Sequence, residues 1–376
     1  MTFHAAPLRL VLLVLFAATA ACGEPEPRPL PNVADLPLRG AKPAQPLGKV
    51  DFRMPDASGQ PYDFHEETRG EITLLFFGYT YCPDICPVQM ATLARALDQV
   101  SPEVRERVEV VFVTVDPERD TPERLRGWLA AFDSSFVGVR GSPEQIEEAL
   151  AFYRYPPPER SADGVVYTVG HPALVYAFTP DGLGRAMYGS ETSAAIFAHD
   201  LELMTAYPWE AWEESGARGA EPGDGGAEGG ASSSTSAGDP PPVLAMAGEV
   251  LVLDAYLPAP PVDGPVAVYF TLRNGGAAPD TLRGFTSELG SGAGLHRMTR
   301  DGGMSRMAPL SALPLPPGET VLLAPGGDHG MLQEVSADAL EVGGTARVTL
   351  DFARGGSVEV PVRVVPYADI GGGSGG

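Results

Sequence analysis

An α/β layered domain followed by an all-β sandwich or barrel is the fold class that the sequence predicts. Three observations carry it. Across residues 47–212, continuous apolar runs alternate with segments of helical period, as in strands and helices packed in layers. Across residues 247–368, short apolar segments are separated by turn signals such as Asn274-Gly275-Gly276 and Pro317-Gly318, with no helix longer than a turn or two. Between them, residues 213–246 hold Gly, Ala, Ser, Pro and acid without apolar periodicity, which predicts a flexible linker.

The elements follow in order. Residues 1–21 contain an apolar run, Leu8 to Ala21, behind Arg9. The run is shorter than the roughly 20 residues of a membrane span. Small residues at its end predict a secretory signal peptide. Thr19-Ala20-Ala21-Cys22 resembles a bacterial lipobox, with Thr19 where Leu is usual. The resemblance implies acylation of Cys22 and a lipid anchor on the periplasmic side of a bacterial membrane, since several acyl tails anchor stably. Residues 22–46 are Pro-rich and predict an extended spacer that holds the first domain off the membrane.

In the first domain, Asp51 to Met54 and Asp56 to Gly59 predict a strand and a turn. Ile72 to Phe77 is a continuous apolar run suited to a central buried strand. Met90, Leu93, Ala96, Leu97 and Val100 recur with helical period, and Val108 to Val115 predicts a second buried strand. Thr121-Pro122-Glu123 and Ser142-Pro143-Glu144 each predict a helix start, with a hydroxyl cap and Pro at the first position. His171 to Phe178 and Ala186 to Tyr188 predict strands around Thr179-Pro180-Asp181-Gly182, and Ser193 to Ala206 a last helix. In the second domain, Val250 to Ala255, Val266 to Arg273, Thr281 to Phe285, Glu319 to Leu323, Thr345 to Phe352 and Ser357 to Val365 predict strands. Residues 369–376 predict a disordered tail.

The chain has 376 residues, enough for two or three domains with their own cores. Its formal charge of −23 disfavours nucleic acid as a partner, which needs a basic surface. With Cys22 set aside, Cys82 and Cys86 are the remaining thiols. A disulfide between them closes so short a loop that it stabilises little, so a redox or metal pair is the better reading. They sit where an apolar strand turns directly into a helix, and partial positive charge at a helix start favours a thiolate. Two thiolates and the imidazole of His171, in the loop opening a later strand, satisfy Cu(I) at trigonal coordination. From the pair alone, metal binding and dithiol redox chemistry stay equally open. The Cys-x-x-x-Cys spacing has one residue more than a thioredoxin motif.

Three stretches resemble the Sco/SenC family: Phe77 to Pro87, Val113 to Pro122, and Tyr167-Thr168-Val169-Gly170-His171. They occur in the family's order and span nearly the whole first domain. The resemblance implies a thioredoxin-like fold, copper bound by Cys82, Cys86 and His171, and service to the CuA centre of cytochrome c oxidase subunit II. Gly170-His171-Pro172 stands where the family usually has Asp-His-Ser. Asp116 is read as ordering the loop beside the site or capping the next turn.

In the second domain, ten residues separate His296 from Met307, twenty-one separate Met307 from His329, and one separates His329 from Met331. Imidazole and thioether suit Cu(I) and do not suit Mg²⁺ or Ca²⁺. His296 is read in a Gly-rich loop, and His329 and Met331 on one face of a strand end. Two such Met and two such His are read as ligands, although a single Met is usually a core filler. Met298 and Met304 flank the set. The pattern is similar to the PCuAC copper chaperones, which implies a cupredoxin-like barrel with an exposed Cu(I) site. His65 and His199 have no soft partner in sequence and are read as surface residues; Trp128, Tyr167 and Trp209 are read as packing residues.

The expectation is a thioredoxin-like α/β domain followed by an all-β cupredoxin-like domain. The function expected is a lipid-anchored periplasmic copper metallochaperone for CuA assembly. Its cargo is Cu(I), with Cu(II) left open at the first site. Its partners are oxidase subunit II, other copper chaperones or thioredoxin-like reductants, and the membrane through the anchor. The alternatives are a thiol-disulfide reductase using Cys82 and Cys86, and a copper storage or tolerance protein.

Overall fold

The structure, a computed structural model, describes residues 36–163, 166–208 and 243–370. The signal-peptide and Cys22 readings, Trp209, nearly all of the predicted linker and most of the tail lie outside the described residues. No described helix is long and apolar enough to cross a membrane.

The first domain is built on a six-stranded sheet. Its order is Leu47–Gly48, Leu183–Tyr188, Val175–Phe178, Ile72–Gly78, Val108–Thr114, Val137–Val139. The last three strands run parallel and the others antiparallel to their neighbours. Every residue of Ile72–Gly78 is buried, as its unbroken apolar run requires of a strand covered on both faces. Helices Ile85–Gln99 and Ala194–Ala206 pack on each other beside that strand. Helix Pro122–Ala130 presses Leu125 and Leu129 onto Gly138, where a Cβ would lie 2.8 Å and 2.7 Å from their side chains. Thr121 and Ser142 cap their helices as the sequence indicates, Ser142 in a capping box with Gln145. This arrangement of parallel crossovers closed by an antiparallel hairpin and a helix is a thioredoxin-like fold. Trp128 is fully buried against Phe112, and His65 is exposed.

One buried charge gives a pH signature. Lys49 donates to the Thr68 carbonyl at 3.1 Å and to the hydroxyls of Thr68 at 2.5 Å and Thr73 at 3.2 Å, between the rings of Phe64 and Phe178. Burial lowers its pKa from 10.5 to about 8, against the pull of Glu109 and other acids. The unfolded chain therefore binds more protons than the native chain between those values, and stability must rise with pH across that window. The rise expected from this group is about 3 kcal/mol. Denaturant melts from pH 7 to 11 are expected to show a wild-type gain that Lys49→Met lacks; equal pH slopes would refute it.

The second domain is an all-β sandwich, and its only described helical turns are Ala337–Ala339 and Tyr367–Asp369. Hydrogen-bonded neighbours run Leu313–Leu315, Asp280–Thr286, Thr345–Phe352, Gly356–Val365, Val250–Pro258, Gly264–Asn274, Asp328–Val335, Gly292–Asp301, Met304–Leu310. Its core is aliphatic and aromatic, from Val250 and Phe270 to Phe352 and Val362.

Four sequence readings need correction. His296 lies within strand Gly292–Asp301, not in a loop, because Gly and small residues there still pair on both sides with neighbouring strands. His171 opens a two-residue strand separate from Val175–Phe178, since it pairs with the second domain and not with the central sheet. Part of the supposed spacer is docked: the Arg39 and Gly40 amides donate to Asp200, and Ala41 pairs with Met187. Ile370, assigned to a tail, is only 2% exposed in an apolar seam with Val88, Ala91, Ala267, Tyr269 and Tyr367.

Candidate metal centre

The first donor set forms where strand Ile72–Gly78 gives way to helix Ile85–Gln99. Cys86 lies in the first turn of that helix, and Cys82 in the turn before it, its amide donating to the Tyr79 carbonyl at 3.2 Å. Only Cys86 therefore lies in the helix, which begins at Ile85. Gly78 is needed for close approach: a Cβ there would lie 2.8 Å from the Cys86 sulfur. His171 Nε2 is 3.4 Å from Cys86 Sγ. Its Nδ1 is 3.0 Å from the Phe77 carbonyl and 2.9 Å from that of Pro172. Carbonyls only accept, so Nδ1 carries a proton, and Nε2 is the ring nitrogen that faces the sulfurs. The ring is held edge-on by Tyr79 and Phe76.

Cys82, Cys86 and His171 are all buried, and their donor atoms lie within 4.8 Å of one another. The cysteines are free thiols. Burial opposes charge on both. At Cys82, hydrogen bonding with Cys86 and His171 outweighs burial and holds the thiol well below its usual range. At Cys86, burial and the Cys82 thiolate push the thiol well above it. One proton is thus readily lost and the second is retained until something compensates a second negative charge. A monovalent soft cation does that.

Charged residues brace the loop from outside. Asp120 accepts from the Thr80 amide and hydroxyl, with burial pushing its carboxyl upward. Arg124 donates to Thr80 Oγ1 at 2.6 Å and stacks over Tyr81. Asp116 accepts from the Tyr167 hydroxyl at 2.9 Å and pairs with Arg119, which lies over the Tyr167 ring. It orders the His171 approach and the helix-side loop together, so it does more than cap a turn.

The second donor set lies on one face of three adjacent strands. His296 is directly opposite His329, Met331 is opposite Gly294, and Met307 is opposite Met298. Directly paired residues share a face, and so do residues two apart along a strand. The four predicted ligands and Met298 therefore converge. Met304 is three residues from Met307 and belongs to the opposite pleat. The His296 and His329 rings stack with centroids 6.1 Å apart. His329 Nδ1 lies 3.0 Å from the Gly327 carbonyl, which fixes its proton there. Its Nε2 is buried with no hydrogen-bond partner, a costly state for a ring nitrogen unless a ligand uses its lone pair.

This set is not exposed, as the sequence had suggested. His296 and His329 are 2% and 0% exposed, and Met307 and Met331 are 5% and 1%. The first domain covers them. Sequence reasoning missed the residues that make this contact. Asp84, between the two cysteines, accepts from Tyr269 Oη at 2.8 Å and from the Gly326 amide at 2.9 Å. Its carboxylate is also 3.7 Å from His329 Nδ1. Burial pushes the Asp84 carboxyl upward from its ordinary value, against the pull of His329. The visible signal was an acid inside an apolar Cys loop; its partners were 185 and 242 residues away. His199, partly buried, pairs with Asp200 and takes no part.

The SCO1/SenC family model matches residues 40–206, and the model described as "Putative lipoprotein LpqE-like" matches residues 250–364. A "Putative copper-binding protein" of Stutzerimonas stutzeri is 34% identical over 154 residues, covering 40% of this chain and 70% of that protein. The mitochondrial SCO2 homolog of Mus musculus is 35% identical over 165 residues, covering 43% of this chain and 63% of that protein. The copper-bound PCuAC domain from PmoF2 is 28% identical, covering 32% of this chain and 96% of that one, with a TM-score of 0.28. The chain belongs to the SCO1/SenC family through residues 40–206, joined to a second domain that the LpqE-like model matches over residues 250–364.

Proposed function

We propose that the protein is a copper metallochaperone of the periplasmic side of a bacterial membrane, anchored there through Cys22. Its cargo is Cu(I), held by Cys82, Cys86 and His171 in the first domain and by His296, Met307, His329 and Met331 in the second. The observation that carries the reading is the pair of histidines. Both are buried, both have Nδ1 tied to a backbone carbonyl, and both turn Nε2 toward soft donors or leave it without a partner. Second-site thioethers resist the oxidising compartment, and first-site thiolates bind more tightly once reduced. The delivery expected is to the CuA cysteines of cytochrome c oxidase subunit II.

A specific observation also favours a reductase. Cys82 has a depressed pKa beside a protonated Cys86, the arrangement in which one sulfur attacks a disulfide and the other resolves the mixed disulfide. Reducing the subunit II cysteines and loading them are compatible tasks of one domain.

A deletion strain tests the delivery. Loss of CuA absorbance with normal subunit II abundance is expected, restored by wild type and not by Cys86→Ser. Copper sensitivity with normal oxidase would replace delivery by storage or tolerance.

A further inference from the structure

The two donor sets face one another across a single interface inside the chain. Strand Met304–Leu310, which carries Met307, continues onto His171: Ser305 pairs with His171 and Met304 with Pro172. Thr168 Oγ1 donates to the Met307 carbonyl at 3.4 Å. Met298, on the second donor face, packs against the first domain's core. Asp84 links the Cys loop to Tyr269, Gly326 and His329. Around this centre lies the apolar seam of Val88, Ala91, Tyr269 and Tyr367. Outside it, Arg124 donates to the Asp263 carbonyl at 2.8 Å, and Arg306–Glu159 and Arg300–Glu191 pair across the rim at 3.2 Å and 3.0 Å. An apolar centre and a polar rim are the anatomy of a specific interface.

We propose that the second domain is a docking partner of the first. It closes on the Cys82–Cys86 loop, with Asp84 as the latch, so that each donor set caps the other and Cu(I) passes between them without leaving the chain. The passage rests on the copper reading above; the docking does not. Asp84 suits the latch because its two hydrogen bonds, from Tyr269 Oη and the Gly326 amide, both come from the second domain. Buried bonds of this kind are costly to break, because each leaves a polar group without a partner. In the passage no electron moves and copper stays Cu(I). Bonds to neutral imidazole and thioether break, bonds to two sulfurs and His171 Nε2 form, and any proton still on sulfur goes to water. The closed state also hides both sets, so delivery to another protein requires the latch to open. The same two faces are then free for an outside partner.

The test needs no copper at first. A protease site placed within residues 213–242 of the full chain is cut after folding, and the reduced, metal-free halves are run on gel filtration at micromolar concentration. Co-elution is expected, as is alkylation of Cys82 by iodoacetamide at least ~10-fold slower than in Asp84→Ala/Tyr269→Phe. Tyr269→Phe alone removes one latch bond without a cavity and is expected to give an intermediate rate in a chain that still melts cooperatively. Separate elution, with wild-type alkylation as fast as the variant's, would overturn the docking. A second arm uses copper. A Cys82→Ser/Cys86→Ser chain loaded with Cu(I) is mixed with a metal-free Met307→Leu/Met331→Leu chain. Transfer between chains is expected to speed up at least ~10-fold when both also carry Asp84→Ala. An equal rate would overturn mutual capping. Failure of the first chain to load would instead count against the copper reading and leave the docking result intact.

Discussion

Reduced full-length protein is expected to bind one Cu(I) at each donor set in competition with a chelator, and mutation will separate the two. Cys86→Ser should remove the first site. Its thiol completes a triad whose donors lie within 4.8 Å of each other, and a hydroxyl is too hard a donor for Cu(I). Met307→Leu with Met331→Leu should remove the second. Leu keeps the volume of two buried side chains, so the fold should survive with a cost below ~1.5 kcal/mol per site, while both thioethers are gone. A loss of at least ~100-fold in affinity is expected at each targeted site, since even outer-shell changes cost 10–100-fold. The untouched site should keep its affinity, because neither change alters the other triad or quartet. If the Met pair alone governed all binding, the first domain would be a reductase serving the second. If both changes left two tight ions in place, the donor assignments would be wrong.

The sequence revealed the donor sets better than their setting. The Cys loop was readable because Ile72 to Phe77 leaves no choice but a buried strand, and the helix after it has clear apolar period. The caps at Thr121 and Ser142 were readable because a hydroxyl followed by Pro has few other uses. The strands Gly292–Asp301 and Met304–Leu310 were not read as strands, although they carry His296 and Met307. Their face is made of Gly294, His296, Met298 and Met307, residues of weak strand preference whose burial is supplied by another domain. Single-domain periodicity cannot show that. The same reason hid the cover over both sites. Asp84 and Tyr269 were not singled out, and Ile370 was assigned to a tail; each owes its position to contacts between domains. The exposed site implied by resemblance gave way to a buried one for that reason alone.

His171→Ala should then distinguish carriage from reduction, because pH can restore only one of them. The imidazole has two roles in this structure. It places a donor nitrogen 3.4 Å from Cys86 Sγ, the one proposed to bind copper, and it helps hold the Cys82 thiol below its usual range. Removing it takes away one cause of the lowered pKa, so Cys82 must titrate closer to the ordinary thiol range, about 8.5. At neutral pH the thiolate fraction falls. Raising the pH through that range refills it, so disulfide reduction by the variant should be slow at pH 7 and approach the wild-type rate above about pH 9. No change of pH replaces the missing nitrogen. Copper affinity at the first site should therefore stay at least ~100-fold below wild type at both pH values. The measurements are a stopped-flow rate with a model disulfide and a chelator competition, each at pH 7 and pH 9.5, with thermal melts to show that the variant is folded. A variant that reduces at the wild-type rate at pH 7 would remove His171 from thiol activation. One that retains copper would remove it from the ligand set, leaving the sulfurs alone to hold the ion. Low affinity at both pH values, with reduction restored only at the higher, would assign copper to the triad and electrons to the cysteine pair.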